Sequence, residues 1–402
     1  MGEFHLLSPK GFQAAAVHAG IKTSQTPDVG LLICDTLATA AAVFTTNQVV
    51  AAPVKIGRRH IAKGKLRGIV VNSGNANACT GKQGENDAIH MCQLAAKIAR
   101  CSAREILPSS TGIIGHLLPM DKIERGIVQA GQSLGNTIQN ALLFAAAILT
   151  TDLKRKSAAA SFKVGKHTAV LAGVCKGSGM IGPRLGLPHA TMLAYLTTDA
   201  HLPATLLRKL MLKAADQSFN AVTVDDQTST NDTACLLASG ASGARIDSAA
   251  AIRSFQAALN EVCQSLAYQI AADGEGATKV VSILVDKAAS DSQAALIARS
   301  IANSPLVKCA MNGNDPNWGR IVCAAGQTPA KFDPAKAVLR LQGTVVFHKG
   351  APAPFNTHKV SKALNASEVN VVLTCNIGRG SATCWTCDLS KGYVTINADY
   401  HT

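Results

Sequence analysis

Aromatic residues make up only 4% of this 402-residue chain, with two tryptophans and four tyrosines. Acidic residues are also scarce, 25 against 39 lysines and arginines, for a net charge of +14. A basic chain invites a nucleic-acid reading, but single-strand grooves need aromatic platforms between their cations, and here there are too few. The cations are also scattered, the densest spot being Lys154-Arg155-Lys156. A solvated basic surface that attracts anionic amino acids is the more economical expectation, with no nucleic-acid partner. Long apolar runs are missing too. The longest, Ala141–Leu149, is about half of the roughly 20 residues that a bilayer span requires. Met1–Gly20 has no continuous apolar core behind a basic start, so a cytoplasmic protein without a membrane partner is expected. Cys384-Trp385-Thr386-Cys387 has neither a second C-x-x-C nor a spaced histidine pair to complete a tetrahedral site, and it lies in strand-like sequence. The twelve cysteines read as reduced, mostly small core residues, and no metal is expected. Gly/Ser/Pro linkers and long repeats are absent as well.

What remains is a chain rich in Ala, Val, Leu and Ile, 47% hydrophobic, long enough for two or three domains. Short apolar stretches such as Ile69–Val71, Ala169–Leu171, Met192–Leu196 and Val280–Val285 read as buried strands. Helical periodicity is expected from near Glu85, from near Leu202, over Ala249–Ala271 and over Ser292–Ala302. The last third, Ala337–Phe347, Val369–Thr374 and Tyr393–Ile396, reads as β-rich. Strands do not alternate strictly with helices, which favours α+β layers over a doubly wound sheet.

Several segments carry chemistry-bearing residues. Gly177-Ser178-Gly179-Met180-Ile181-Gly182 has G-x-G-x-x-G spacing, but Gly186 and Pro188 oppose the helix that a dinucleotide site requires. A glycine turn that lets backbone approach a small substrate suits it better. Ser109-Ser110-Thr111-Gly112 sets a hydroxyl beside an unhindered N–H, a pair suited to a developing oxyanion, although a polar turn is the default for such a segment. Asp273-Gly274-Glu275-Gly276 resembles a helix-ending glycine turn, with Glu275 free to meet an ammonium. Thr191 opens Ala190-Thr191-Met192-Leu193. A mid-chain threonine is a weak nucleophile, whereas one that becomes a new N-terminus carries its own base, the α-amine.

Taken in order, these segments resemble the glutamate N-acetyltransferases of arginine biosynthesis, also called ornithine acetyltransferases. The matching stretches are GFQAAAVHAGIK (Gly11–Lys22), VFTTN (Val43–Asn47), NSGNANACTG (Asn72–Gly81), SSTGIIG (Ser109–Gly115) and LTTD (Leu149–Asp152). KGSGMIGP (Lys176–Pro183), ATML (Ala190–Leu193), VTVDDQTSTNDT (Val222–Thr233) and DGEGATK (Asp273–Lys279) follow. SPLVKCAMNGNDPNWGRI (Ser304–Ile321) and INADYHT (Ile396–Thr402) complete a likeness that spans nearly the whole chain.

The resemblance implies an α+β fold of layered sheets and helices, of the ornithine acetyltransferase and aminopeptidase type, with the nucleophile at a β-chain N-terminus. It implies self-cleavage between Ala190 and Thr191, into an α chain of residues 1–190 and a β chain of residues 191–402, assembled as two α and two β chains. It further implies transfer of an acetyl group from N2-acetylornithine to glutamate through an acetyl ester on Thr191. Thr111 and Gly112 would hold the oxyanion. Thr150 or Thr151, Lys176, Thr191, Glu275, Asn397 and Thr402 would contact substrate. No metal or organic cofactor is implied, and acetyl-CoA enters only as a substrate in bifunctional members. Between Pro183 and Ala190 the chain runs longer than the family's usual spacing, next to the scissile bond. Two other readings stay open at this level: a related amidase or aminopeptidase that uses water as acceptor, and an uncleaved binding protein.

Overall fold

A computed structural model describes residues 4–182 and 192–399. Ala190, Thr191 and Thr402, three of the expected site residues, lie outside the described residues.

The first body of the molecule is an eight-stranded sheet folded over on itself. In chain order its elements are β1 (Phe12–Val17), β2 (Val29–Phe44), α1 (Ala52–His60), β3 (Lys65–Asn75), α2 (Gly81–Ala99), β4 (Ile106–Ile113), α3 (Met120–Gln132) and α4 (Ile138–Ala147). Then follow β5 (Lys156–Val164), β6 (His167–Lys176), β7 (Leu193–Thr198), α5 (Ala204–Asp216), β8 (Thr233–Ala238) and α6 (Ala249–Ala272). The strand order is β4-β3-β2-β8-β7-β6-β5, with β1 also paired to β2.

The sixteen residues of β2 make the fold-over possible. Val29–Ile33 pair with β1 and β3, the register slips between Ile33 and Ala38, and Thr39–Phe44 then pair with β8. Side chains alternate between faces along a strand, and here each face meets a different partner. Leu31, Ile33 and Val70 pack outward under α2 and α3, through Met91, Ala95, Ile123 and Ile127. Leu32, Ile69, Val71 and Leu107 point inward and meet Leu193, Tyr195, Cys235 and Leu237 from the other half of the sheet. That half presents Ala194, Leu196, Ala234 and Leu236 to α5 and α6. The result is helix, sheet, sheet, helix. Because both faces of most strands are buried, the strands read as continuous apolar runs rather than alternating ones.

The second body has its own core. Its sheet runs β12-β11-β10-β13-β9-β14, from β9 (Val280–Ala288), β10 (Val338–Leu341), β11 (Thr344–His348), β12 (Ala351–Pro352), β13 (Glu368–Thr374) and β14 (Gly380–Cys387). Helices α7 (Asp291–Asn303), α8 (Pro305–Asn312), α9 (Trp318–Gly326) and α10 (Thr357–Leu364) cover it. Among the described residues no helix is long and apolar enough to cross a membrane.

The C-terminal expectation needs correction. Tyr393–Ile396 lies in a helix, α11 (Lys391–Asp399), not in a strand. Its Val394-Thr395-Ile396 run is β-branched as a strand's would be, but the segment is largely exposed and among the described residues pairs with no sheet edge. A helix satisfies its backbone groups locally, which an isolated extended segment cannot do. The other expected helices and strands form, with ends shifted by a few residues: α2 starts at Gly81 and α5 at Ala204.

The C-x-x-C pair lies in β14 as its sequence suggested. Spacing of three in a strand sends the thiols to opposite faces: Cys384 packs in the second core and Cys387 in the first. Burial pushes the Cys384 thiol up to about 11, away from the thiolate that metal or redox chemistry uses.

Candidate functional site

The site is built where three neighbouring strands end in one row. Lys176, the last residue of β6, is opposite Leu193 of β7, which in turn is opposite Thr233 of β8. Thr233 donates its N–H to the Met192 carbonyl at 2.9 Å, so the described chain enters β7 held between these neighbours.

Lys176 is buried, and its ammonium donates to the Thr150 hydroxyl at 3.3 Å. Of the two threonines in Leu149–Asp152, Thr150 is therefore the one at the lysine. Burial pushes the Lys176 ammonium below its ordinary value, against the opposing pull of Asp152, Asp232 and Glu275. A desolvated ammonium with nearby carboxyl groups is suited to gaining a further anionic partner from a ligand.

Asp152 ties the site together, a role that its place in the Leu149–Asp152 stretch did not announce. One of its oxygens accepts from Gly177 N at 2.7 Å and from Lys156 Nζ at 2.6 Å, and the other accepts from Thr150 N at 3.2 Å. Lys156 also donates to Asp273 at 2.5 Å, whose carboxylate in turn accepts from the N–H groups of Leu153 and Lys154. This buried ammonium thus links the Thr150 loop, the Lys176–Gly177 turn and the loop after α6 that carries Glu275. Burial would depress Lys156, but the Asp152 charge, together with the Cys175 thiol and the hydrogen bonds to Asp152 and Asp273, outweighs it and holds the ammonium above its ordinary value. Lys156→Met leaves two buried carboxylates without their cation. It is expected to lower stability by about 3–5 kcal/mol, read as a fall in the denaturant midpoint, whereas exposed Lys154→Met should change it little.

Glu275 sits on the turn after α6. Its backbone N–H donates to the Ser178 carbonyl at 2.9 Å, and its carboxylate accepts from Asn397 Nδ2 of α11 at 3.0 Å. Two expected substrate contacts far apart in sequence are thereby in direct contact. A Cβ on Gly179 would meet the Glu275 carboxylate, which occupies that space. The glycine-rich segment is thus a turn of close approach, and no helix opens in the residues that immediately follow it, through Gly182. Asp225 holds the same turn by accepting from Met180 N and Ile181 N, both at 2.8 Å, and meets the Tyr393 hydroxyl at 3.3 Å. Burial, reinforced by the Glu275 charge, holds the Asp225 carboxyl above its ordinary range.

Thr111 and Gly112 end β4, where the strand runs parallel to Ser73–Asn75 of β3. Gly112 has φ +134, and a Cβ there would collide with the Gly74 backbone. Only glycine keeps the two strands this close. Asparagines at the end of β3 brace the corner: Asn72 accepts from the Ser110 hydroxyl at 2.6 Å, and Asn75 Nδ2 donates to Leu117 O at 3.0 Å. Asn231, just before β8, donates to the Ser110 carbonyl at 2.8 Å and to the Ala76 carbonyl at 2.5 Å. Through Asn231 the Thr111–Gly112 corner is joined to the strand row that contains Lys176. Across the inner layer Tyr195 of β7 also faces Ser109 of β4.

The expected residues fall into two groups: Thr150, Lys176, Glu275 and Asn397 on one side, and Thr111 with Gly112 on the other. Among the described residues Thr151 makes no hydrogen bond with the other candidates. No metal-binding cluster of His, Cys, Asp and Glu occurs among the described residues.

Residues 13–402 match the family model described as the ArgJ family. The chain belongs to the ArgJ family. The arginine biosynthesis bifunctional protein ArgJ of Lactococcus lactis is 43% identical over 397 residues, covering 98% of both chains. That of Dehalococcoides mccartyi is 44% identical over 401 residues, 99% of this chain and 97% of its own. Among solved structures, ArgJ from Bacillus halodurans is 42% identical, covers 46% of this chain and 95% of its own, and has a TM-score of 0.44. An ornithine acetyltransferase from Mycobacterium tuberculosis, solved with ornithine, is 34% identical over 45% of this chain and 96% of its own, with a TM-score of 0.41. As an ArgJ family member the chain is an enzyme of arginine biosynthesis, an acyltransferase.

Proposed function

We propose that this enzyme transfers the acetyl group of N2-acetylornithine to glutamate, after cutting itself between Ala190 and Thr191. Residues 1–190 then supply Thr111, Gly112, Thr150 and Lys176, and residues 191–402 supply Thr191, Glu275, Asn397 and Thr402. The two segments assemble as two α and two β chains. The observation that carries the reading is the row Lys176, Leu193 and Thr233, joined by Asn231 to the Thr111–Gly112 corner. The reading calls for a nucleophile just before β7, near a substrate-holding lysine and a pair of oxyanion donors, and this frame supports it.

In this mechanism the α-amine of Thr191 takes the proton of its own hydroxyl, and Oγ attacks the acetyl carbonyl. The Thr111 hydroxyl and the Gly112 N–H hold the tetrahedral oxygen. Ornithine leaves, and the glutamate amine attacks the acetyl ester to give N-acetylglutamate and free Thr191. Lys176 pairs with the substrate carboxylate and Glu275 with an ammonium, which fixes the direction of the amino acid. No resident metal or organic cofactor takes part. The bifunctional naming of the relatives extends the proposal to acetyl-CoA as a second acetyl donor.

Product analysis with and without glutamate tests the reaction. N-acetylglutamate and ornithine should appear in equal amounts when glutamate is present. Release of acetate at the same rate without glutamate would instead mark a hydrolase.

A further inference from the structure

Asp232 is given no task by the steps above, yet it stands among the groups that perform them. It precedes β8, with its carbonyl accepting from Thr45 N at 2.9 Å and its neighbour Thr233 bonded to Met192. The residue is 1% exposed, and its Oδ2 has no hydrogen-bond partner among the described residues. Lys176 is the charged group that faces it, and the backbone N–H groups of Ser229 and of Asp232 itself lie nearby. Around Lys176 in turn stand Asp152, Lys156 and Glu275. Burial holds the Asp232 carboxyl well above the carboxylate range and pushes the Lys176 ammonium down. A buried carboxyl oxygen without a partner among the described residues, one residue from the strand row that carries Lys176, is placed to hold a proton.

Acetyl transfer between two amino acids creates a need for such a store. The departing amine leaves as an ammonium at neutral pH, and the accepting amine arrives as one. One proton must be supplied in the first half of the cycle and recovered in the second.

We infer that Asp232, buried near Lys176, stores this proton between the two half-reactions; the inference rests on the proposed function. In the first half, the amide C–N bond breaks and the Thr191 ester C–O bond forms. The Thr191 hydroxyl proton and the Asp232 carboxyl proton both end on the ornithine nitrogen. Asp232 is left as a carboxylate beside the Lys176 ammonium. In the second half, the glutamate ammonium gives one proton to Asp232 and another to the departing Thr191 oxygen as the new amide C–N bond forms. The cycle closes with no net proton taken from solvent. Asp232 is a proton-holding residue and takes no part in binding the substrate.

The test follows acetylation by N-acetylornithine without glutamate, in weak buffer with a pH indicator, for the wild type and Asp232→Asn. The wild type should form acetyl-enzyme with no net proton uptake during acetylation. Asp232→Asn should take up one proton per acetyl group and acetylate roughly a hundredfold more slowly. Asp232→Glu, which restores the carboxyl, should recover most of the rate and the wild-type proton balance. It decides the matter if the Asn variant fails to fold. Asp232→Asn with wild-type rate and proton balance would overturn the inference, as would a folded Asp232→Glu no better than Asn. A wild type that forms no acetyl-enzyme would overturn the proposed function itself, and the inference with it.

Discussion

Thr191→Ala is expected to run as one 402-residue chain on a denaturing gel and to transfer no acetyl group above background. Both effects follow from one atom. In the proposed cleavage Thr191 Oγ attacks the Ala190 carbonyl, and in turnover the same oxygen attacks the acetyl carbonyl. Alanine removes that oxygen while leaving a side chain that strand-forming sequence accepts, so folding should be little changed. Loss of an acyl-transfer nucleophile costs several orders of magnitude in kcat, leaving only what binding and the oxyanion donors contribute. Thr191→Ser should separate the two requirements, because serine keeps both an oxygen and, once cut, an α-amine. It should cleave and turn over at a reduced rate. A Thr191→Ala protein with wild-type turnover would exclude Thr191 as the nucleophile.

Thr111→Ala and Gly112→Ala should also act on both reactions, but for different physical reasons. Thr111→Ala removes one hydrogen bond to the tetrahedral oxygen, and loss of one such donor typically lowers kcat by about 10²–10³. Its KM should change little, because the bond forms with charge that develops only in the transition state. Gly112→Ala should be worse. Its backbone has φ +134, and the added methyl would run into Gly74, so β4 must part from β3. Both donors are then displaced, and the inner layer near Ser109 and Tyr195 opens with them. The expected result is slow or absent self-cleavage together with a lower unfolding midpoint. If Gly112→Ala cleaved and turned over normally, the corner would not be the oxyanion site. Stepwise kinetics on both variants, with unfolding curves alongside, read these outcomes.

Much of this was legible in the chain. Apolar runs such as Ile69–Val71 and Val280–Val285 can only be buried strands, and α6 matched its apolar stripe almost to the residue. Gly112, Gly179 and Glu275 stood out because glycine beside a reactive side chain signals a close approach, and the close approaches are there. The fold-over of the sheet was not legible. It depends on β2 changing partners where its register slips, and that slip leaves no periodic signal. Nor could the chain reveal Asp152, Lys156 and Asp232. Each is one charged residue among many until long-range packing buries it, and only then does its partner decide its role. Tyr393–Ile396 misled because a β-branched run describes a strand only when an edge is available to pair with.

Mass spectrometry of the purified enzyme after brief mixing with N-acetylornithine, with glutamate withheld, tests the central claim most directly. The expected result is a fragment of residues 191–402 heavier by one acetyl group, with fragmentation placing that group on Thr191 and added glutamate removing it. An enzyme that turns over while this fragment stays unmodified, or that carries the acetyl group on another residue, would contradict it.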